Sequence, residues 1–163
     1  MPPSSSWGRM TRAGYRNSHP FGQRLRRFLH DNRQFKLLPP DVDWVQGGCL
    51  LLAEGLTLWG EGALRSGGTV RLHARGQPYL DHAFAYSLAV VNSVLIDGDG
   101  LADEASMRRK LERSFHVSNF DVRYVDCADL AIGIYRDASI SAAIADSLRR
   151  EFGPFTAELL TPR

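Results

Sequence analysis

The chain contains few cysteines and no closely spaced pair of them. Cys49 and Cys127 are the two cysteines among its 163 residues, and neither belongs to a C-x-x-C pair. A disulfide-rich secreted scaffold is therefore excluded, and structural zinc, which usually draws its ligands from such pairs, is disfavoured. One disulfide could form, but nothing in the sequence demands it, and we expect both thiols to be reduced.

Long hydrophobic runs are also absent. No apolar stretch reaches the roughly 18 residues of a membrane-spanning helix, and no charged segment leads into the apolar core of a Sec-type signal. We therefore expect a soluble protein without a membrane span, either cytoplasmic or a translocated effector that lacks a Sec-type signal. Its small size and its bias toward arginine, alanine and glycine suggest a bacterial or phage accessory protein.

Acidic residues are scarce in the first part of the chain. Residues 1–36 carry eight Lys or Arg residues and one acid, Asp31, a net charge of +7, whereas the remainder carries 12 basic and 17 acidic residues. A basic head can attract nucleic acid, an anionic membrane surface or an acidic partner. The simpler alternative is a solvated, partly disordered arm. The proline-, serine- and arginine-rich residues 1–20 predict a flexible basic arm.

The remaining residues, 21–163, are long enough for one domain. Apolar residues on one face of residues 21–35, with arginines opposite, predict a short amphipathic helix. Residues 49 to about 64 are apolar all round, which predicts a helix buried on most sides and ended by the glycines of "RSGG". Charge and hydrophobic patterns predict further helices over residues 102–115 and 139–153.

Short apolar or alternating segments predict the strands. They cover residues 69–76, 82–90, 94–97 and 120–126. A hairpin with Asn92 near its turn would pair the second and third strands, which "DGDG" would then close. This order of helices and strands predicts an α+β fold, with the helix that starts at Cys49 packed on a mostly antiparallel sheet.

The stretch "QGGC" places Cys49 where a helix is expected to begin. The unpaired N–H groups and the dipole at a helix N-terminus stabilise a thiolate, and two glycines before it leave room for a substrate. The backbone of Gly48 and Cys49 and the side chain of Gln46 could stabilise an oxyanion. The Trp44 side chain could form one wall of the site and exclude water.

A histidine and an aspartate accompany this cysteine on the predicted hairpin. His82 opens one strand and Asp97 ends the next, so pairing of the two strands would make the two residues cross-strand neighbours. His82 would be the general base for Cys49, and Asp97 would orient the imidazole ring.

The segments "GGC", "DHAF" and "LIDGDG" together resemble the core of the transglutaminase-like and papain-like cysteine enzymes. The resemblance covers residues 44–100, about a third of the chain. It implies a nucleophile helix on a sheet, with Cys49 as nucleophile, His82 as base and Asp97 as orienting acid, in that chain order. Three details depart from the usual pattern. Gln46 lies closer to the cysteine than the papain-type oxyanion glutamine does, Leu50 replaces the aromatic after the cysteine, and "HAF" stands where transglutaminase-like members often have "HAW".

Each piece of this pattern also has a simpler explanation. Cys49 could be a small core residue, His82 a half-buried structural histidine, and the aspartates of "DGDG" turn formers. "DGDG" also resembles part of a calcium loop, but the closing glutamate is missing. The trio could instead ligate zinc, with Cys127 as a fourth ligand. We predict no metal and no cofactor.

Two functions follow from these observations. The first is a cysteine-dependent acyl-transfer enzyme of the protease, deamidase or transglutaminase type, which acts through a thioester on an amide or ester of a protein or peptide. The second is a non-catalytic binding or regulatory protein, whose basic N-terminal region engages nucleic acid or an acidic partner.

Overall fold

The architecture combines an antiparallel sheet with helices, in a computed structural model that describes residues 19–44, 47–73, 80–87, 94–115, 119–124 and 136–161. The predicted arm over residues 1–20 lies outside this part of the chain, except for its last two residues. The helices are α1 (Pro20–Leu29), α2 (Asn32–Phe35), α3 (Cys49–Gly60), α4 (Glu104–Phe115) and α5 (Ala138–Phe152), followed by a 3₁₀ helix (Ala157–Leu160). The strands are β1 (Leu64–His73), β2 (Leu80–Ser87), β3 (Leu95–Asp97), β4 (Gly100–Ala102) and β5 (Asn119–Tyr124).

The five strands form one sheet in the order β4-β3-β2-β1-β5. Each of the four neighbouring pairs is antiparallel. The longest ladder joins β1 to β2, and a register shift between Ser66 and Gly68 interrupts it. The prediction of an α+β fold with a mostly antiparallel sheet is therefore confirmed.

Helix α3 forms the centre of the core. It packs against α5 on one side and against β1, β2 and β3 on the other. Nearly every turn is buried, including Leu51, Leu56 and Trp59, as its continuous apolar sequence predicts. A side chain at Gly55 would place its Cβ 2.9 Å from that of Ile144, so this glycine permits the close approach of α3 and α5.

The end of α3 differs from the prediction. The helix stops at Gly60, because Glu61 and Gly62 adopt left-handed backbone conformations with φ of 48° and 92°. The glycines of "RSGG", predicted to end the helix, lie within β1 instead. The strand therefore begins at Leu64, five residues before the predicted position.

Helix α1 is amphipathic as predicted. It buries Phe21, Leu25 and Leu29 and exposes its arginines. His19 caps its N-terminus, where the imidazole Nδ1 accepts from the Gly22 N–H at 3.3 Å. Burial lowers the pKa of His19 below its ordinary value of 6.5, so the ring is mainly neutral near neutral pH.

The predicted helix over residues 21–35 is divided into two. The chain leaves α1 at His30, and Asp31 then caps the short α2 by accepting from the Arg33 N–H at 2.8 Å. Aspartate is a favoured N-cap residue, which explains the restart at this position.

An aromatic cluster joins the two ends of the described chain. The ring of Trp59 packs near those of Phe21, Phe152 and Phe155, with centroid distances of 5.1 to 6.1 Å. Its indole N–H donates to the Gly153 carbonyl at 2.8 Å. None of the helices in the described ranges combines the length and the apolar character needed to cross a membrane.

Candidate functional site

Cys49 is the first residue of α3, as the sequence predicts. The N-cap is Gly48, which has no side chain to bond the N–H groups of the first turn. A Cβ at Gly48 would lie 2.5 Å from the Asp43 carbonyl oxygen, so only glycine permits this approach of the two backbone segments. The Cys49 side chain is 4% exposed and forms no disulfide within the described part of the chain.

His82 lies in β2, on the sheet against which α3 packs. Its backbone pairs with that of Val70 in β1. Helix α3, which begins at Cys49, contacts β2, the strand that contains the proposed base His82. The structure thus places Cys49 and His82 on elements that contact each other. The side chain of His82 is not among the described parts of the chain.

The register between β2 and β3 corrects one step of the sequence argument. Ala85 pairs with Ile96 and Tyr86 with Leu95. The next position of this register sets Phe84, not His82, opposite Asp97. His82 is therefore a diagonal neighbour of Asp97, about 7–8 Å away between Cα atoms in a regular ladder. The predicted direct pairing of His82 with Asp97 assumed a register two residues away from the one observed.

Asp97 belongs to a buried ionic cluster that the sequence did not reveal. The ammonium of Lys110 in α4 contacts Asp97 Oδ2 and lies 3.2 Å from Asp99 Oδ2. Asp97 Oδ1 also accepts from the Asp99 N–H at 3.0 Å. Lys110 is 5% exposed and Asp97 3%, so these charges neutralise one another away from solvent.

Lys110 belongs to the charged run RRKLER, residues 108–113, and such a run predicts a solvated helix face. Lys110 is buried instead, because it lies three residues after Met107 on the apolar stripe of α4. Arg108 and Arg109 are exposed as predicted. The helical spacing from Met107 was the signal that could have identified Lys110.

The "DGDG" segment is a hairpin turn rather than the end of the strands. Asp97 pairs with Gly100, which begins the unpredicted strand β4. Gly100 has a φ of 107°, and the Gly98 carbonyl lies 3.1 Å from the Nε2 atom of His30. The same His30 atom is 4.0 Å from Asp99 Oδ1. The turn is thus held by α1 and α4 together.

Trp44 lies in the core beside this turn. Its side chain is 1% exposed, and its indole N–H donates to the Leu29 carbonyl at 2.6 Å. A Cβ at Gly98 would collide with the Trp44 side chain, so the turn packs directly on it. Trp44 therefore supports the segment that contains Asp97. Gln46, the other proposed oxyanion group, lies outside the described residues.

Two surface clefts lined by described residues contain neither Cys49 nor Asp97. One, of about 220 Å³, lies beside the N-terminus of α1, and the other, of about 370 Å³, lies between α2 and α5. No cluster of three or more His, Cys, Asp or Glu residues suited to a metal ion is found in the described ranges. Cys127 and the His82 side chain, two ligands of the zinc alternative, lie outside these ranges.

Comparisons of the chain with protein-family models, curated proteins and solved structures give no match.

Proposed function

We propose that the protein is a cysteine-dependent acyl-transfer enzyme with Cys49 as its nucleophile. The observation that supports this proposal most strongly is the position of Cys49 at the first residue of α3. The N-cap before it is a glycine, which adds no side chain. Unpaired N–H groups at a helix N-terminus favour a thiolate over a thiol. A papain-like or transglutaminase-like core would use such a helix, packed on a sheet that carries the base.

The proposed reaction proceeds through a thioester. His82 takes the thiol proton, and the Cys49 sulfur attacks the carbonyl carbon of an amide or ester. His82 then returns the proton to the departing amine or alcohol as its bond to the carbonyl carbon breaks. Water resolves the thioester in a protease or deamidase, and an amine resolves it in a transglutaminase. In each case Cys49 regains its proton.

Backbone N–H groups at the start of α3 and the Gln46 side chain would stabilise the oxyanion in this proposal. Asp97 would orient His82 while it remains bound to Lys110. A carboxylate accepts about four hydrogen bonds, so the contacts with Lys110 and the Asp99 N–H are compatible with one more from an imidazole. Trp44 would act indirectly, by supporting the turn after Asp97. A protein or peptide is the proposed substrate.

The burial of Cys49 favours a second candidate function. A thiol that is 4% exposed is typical of a structural core cysteine. The buried pairing of Asp97 with Lys110 is equally compatible with a purely structural role for that aspartate. In this alternative the protein is non-catalytic, and its basic N-terminal region engages nucleic acid or an acidic partner.

Alkylation by iodoacetamide near neutral pH separates the two functions. A catalytic Cys49 in the folded chain should react at least about tenfold faster than free cysteine, because the helix and His82 favour its thiolate. His82→Asn should remove most of this advantage. Peptide mass spectrometry distinguishes Cys49 from Cys127, and a Cys127→Ser variant is the control. A Cys49 that reacts only after denaturation would contradict the enzymatic proposal.

A further inference from the structure

Exposed arginines gather where α1 meets the C-terminal end of α5. The contact is aromatic, since the Phe28 and Phe152 rings meet edge-on with centroids 5.4 Å apart. One exposed arginine of α1, Arg24, lies over the Phe152 ring, and Arg27 follows it by about one helical turn. Arg33 of α2 and Arg150 of α5 line a cleft together with Phe28. We define the arginine surface as Arg24, Arg27, Arg33 and Arg150.

The two α1 arginines of this surface, Arg24 and Arg27, have no carboxylate within ion-pair distance in the described part of the chain. The Cζ atom of Arg24 lies 5.1 Å from the centre of the Phe152 ring, in a cation–π contact. The Nε atom of Arg27 donates to the Gln23 carbonyl at 3.4 Å. Within these ranges, no ion pair offsets the positive charge of either guanidinium group.

Arg150 and Arg33 face the cleft between α2 and α5. Arg150 donates to the Ser147 hydroxyl at 3.4 Å, whereas Arg33 pairs with half-buried Asp31 at 3.2 Å. The cleft, of about 370 Å³, is also lined by Glu151 and by half-buried apolar residues, Phe28 and Leu37. Guanidinium forks beside apolar and aromatic groups suit both phosphate binding and base stacking.

Helix electrostatics explain only some of these positions. Arg27 and Arg150 lie in the last turns of their helices, where a positive charge complements the dipole. Arg24 lies near the middle of α1, where the dipole gives no such advantage. Its contact with Phe152 extends the positive surface from one helix to the other.

We propose that the arginine surface binds the phosphodiester backbone of a nucleic acid. Several charges spread over three helices match a chain of phosphates better than one isolated anion. Residues 1–18, which precede α1, add three arginines and no acid, with Trp7 and Tyr15 among them. Aromatic rings interleaved with arginines favour nucleic acid over an acidic protein, since they can stack on bases. This inference rests on the second, non-catalytic candidate function and specifies its partner as a nucleic acid. It does not require a reactive Cys49.

The test is fluorescence anisotropy of the full chain with two labelled probes, a single-stranded oligonucleotide of about 20 nucleotides and the corresponding duplex. A strand of this length is longer than the site that a typical single-strand binding module occupies. The variant R24Q/R27Q/R150Q should weaken the affinity at least about tenfold and make the slope of log K against log salt shallower by about 2–3. The variant R24K/R27K/R150K keeps the charge and should retain most of the binding.

A matched control removes the same charge from positions outside the arginine surface. The variant R108Q/R113Q/R136Q alters three exposed arginines and should leave the affinity within about twofold of wild type, because its positions contact no phosphate. Thermal unfolding of each variant confirms that it is folded. Cys49→Ala should bind as wild type does, so loss of enzymatic activity and loss of binding are separate outcomes.

Three results would overturn the inference. One is no binding by the wild-type chain at low salt. Another is equal weakening by the two glutamine triples, which would indicate net charge alone. The third is tighter binding of a polyglutamate peptide than of either oligonucleotide, which would assign the surface to an acidic protein partner.

Discussion

Replacing Cys49 by alanine is expected to lower the rate of acyl transfer to water by at least roughly 10³-fold. The expectation follows from the proposed covalent mechanism, because the thioester cannot form without the sulfur. A chromogenic activated ester such as p-nitrophenyl acetate provides the measurement, since release of nitrophenolate reports the first step. An initial burst close to one equivalent of protein would show that the acyl group accumulates on the wild-type chain.

Two controls accompany the alanine variant. Cys127→Ser removes the other thiol and should keep the wild-type rate, and Cys49→Ser keeps the size of the side chain while replacing its sulfur. Circular dichroism and thermal unfolding establish that each variant is folded. A Cys49→Ala variant that is folded and retains the wild-type rate would rule out Cys49 as the nucleophile.

Replacing Lys110 by methionine is expected to lower the free energy of unfolding by about 3–5 kcal/mol. Methionine preserves most of the volume but removes the ammonium that contacts Asp97. The Asp97 carboxylate, 3% exposed, would then lie in the core without its opposite charge. Chemical denaturation measures the change. Asp97→Asn should cost less, because Lys110 would keep Asp99, which lies 3.2 Å away.

Arg108→Gln is the matched control for this pair. Arg108 pairs with Glu104 at 3.3 Å on the exposed face of the same helix. Exposed pairs of this kind contribute about 0.3–0.5 kcal/mol, so the control should be close to wild type. A double variant, D97N/K110M, should cost less than the sum of the single changes. If Lys110→Met costs no more than Arg108→Gln, the cluster does not stabilise the fold.

The sequence predicted the helices well because their apolar spacing is strong. Leu25 and Leu29 identified the buried face of α1, and the leucines after Cys49 identified α3 as a central helix. The first residue of α3 was also placed correctly, since paired glycines before an apolar run are a clear boundary. These features depend on local pattern, which the chain displays directly.

Tertiary contacts decided the features that local pattern missed. "DGDG" is compatible with both a strand end and a hairpin turn, and its packing on Trp44 and α1 selects the turn. Lys110 looks solvated in a run of charges, and only the fold brings Asp97 and Asp99 to it. The wrong prediction that His82 pairs with Asp97 has the same origin, because local pattern does not determine the register between β2 and β3.

The candidate site illustrates both cases. The position of Cys49 on a helix N-terminus followed from sequence, whereas its burial did not. The likeness of "DHAF" and "LIDGDG" to known cysteine enzymes suggested roles for His82 and Asp97, but it could not reveal the competing contact with Lys110. The proposed mechanism therefore depends most on whether the Cys49 sulfur takes up an acyl group.

Location of the acyl group by mass spectrometry tests this directly. The full chain is incubated with the activated ester, quenched in acid to preserve thioesters, digested and sequenced by fragmentation. The proposal predicts an acyl group on Cys49, close to one per chain, which is lost on treatment with hydroxylamine and is strongly reduced in His82→Asn. An acyl group found only on Cys127, lysines or the N-terminus, or none at all, would contradict it.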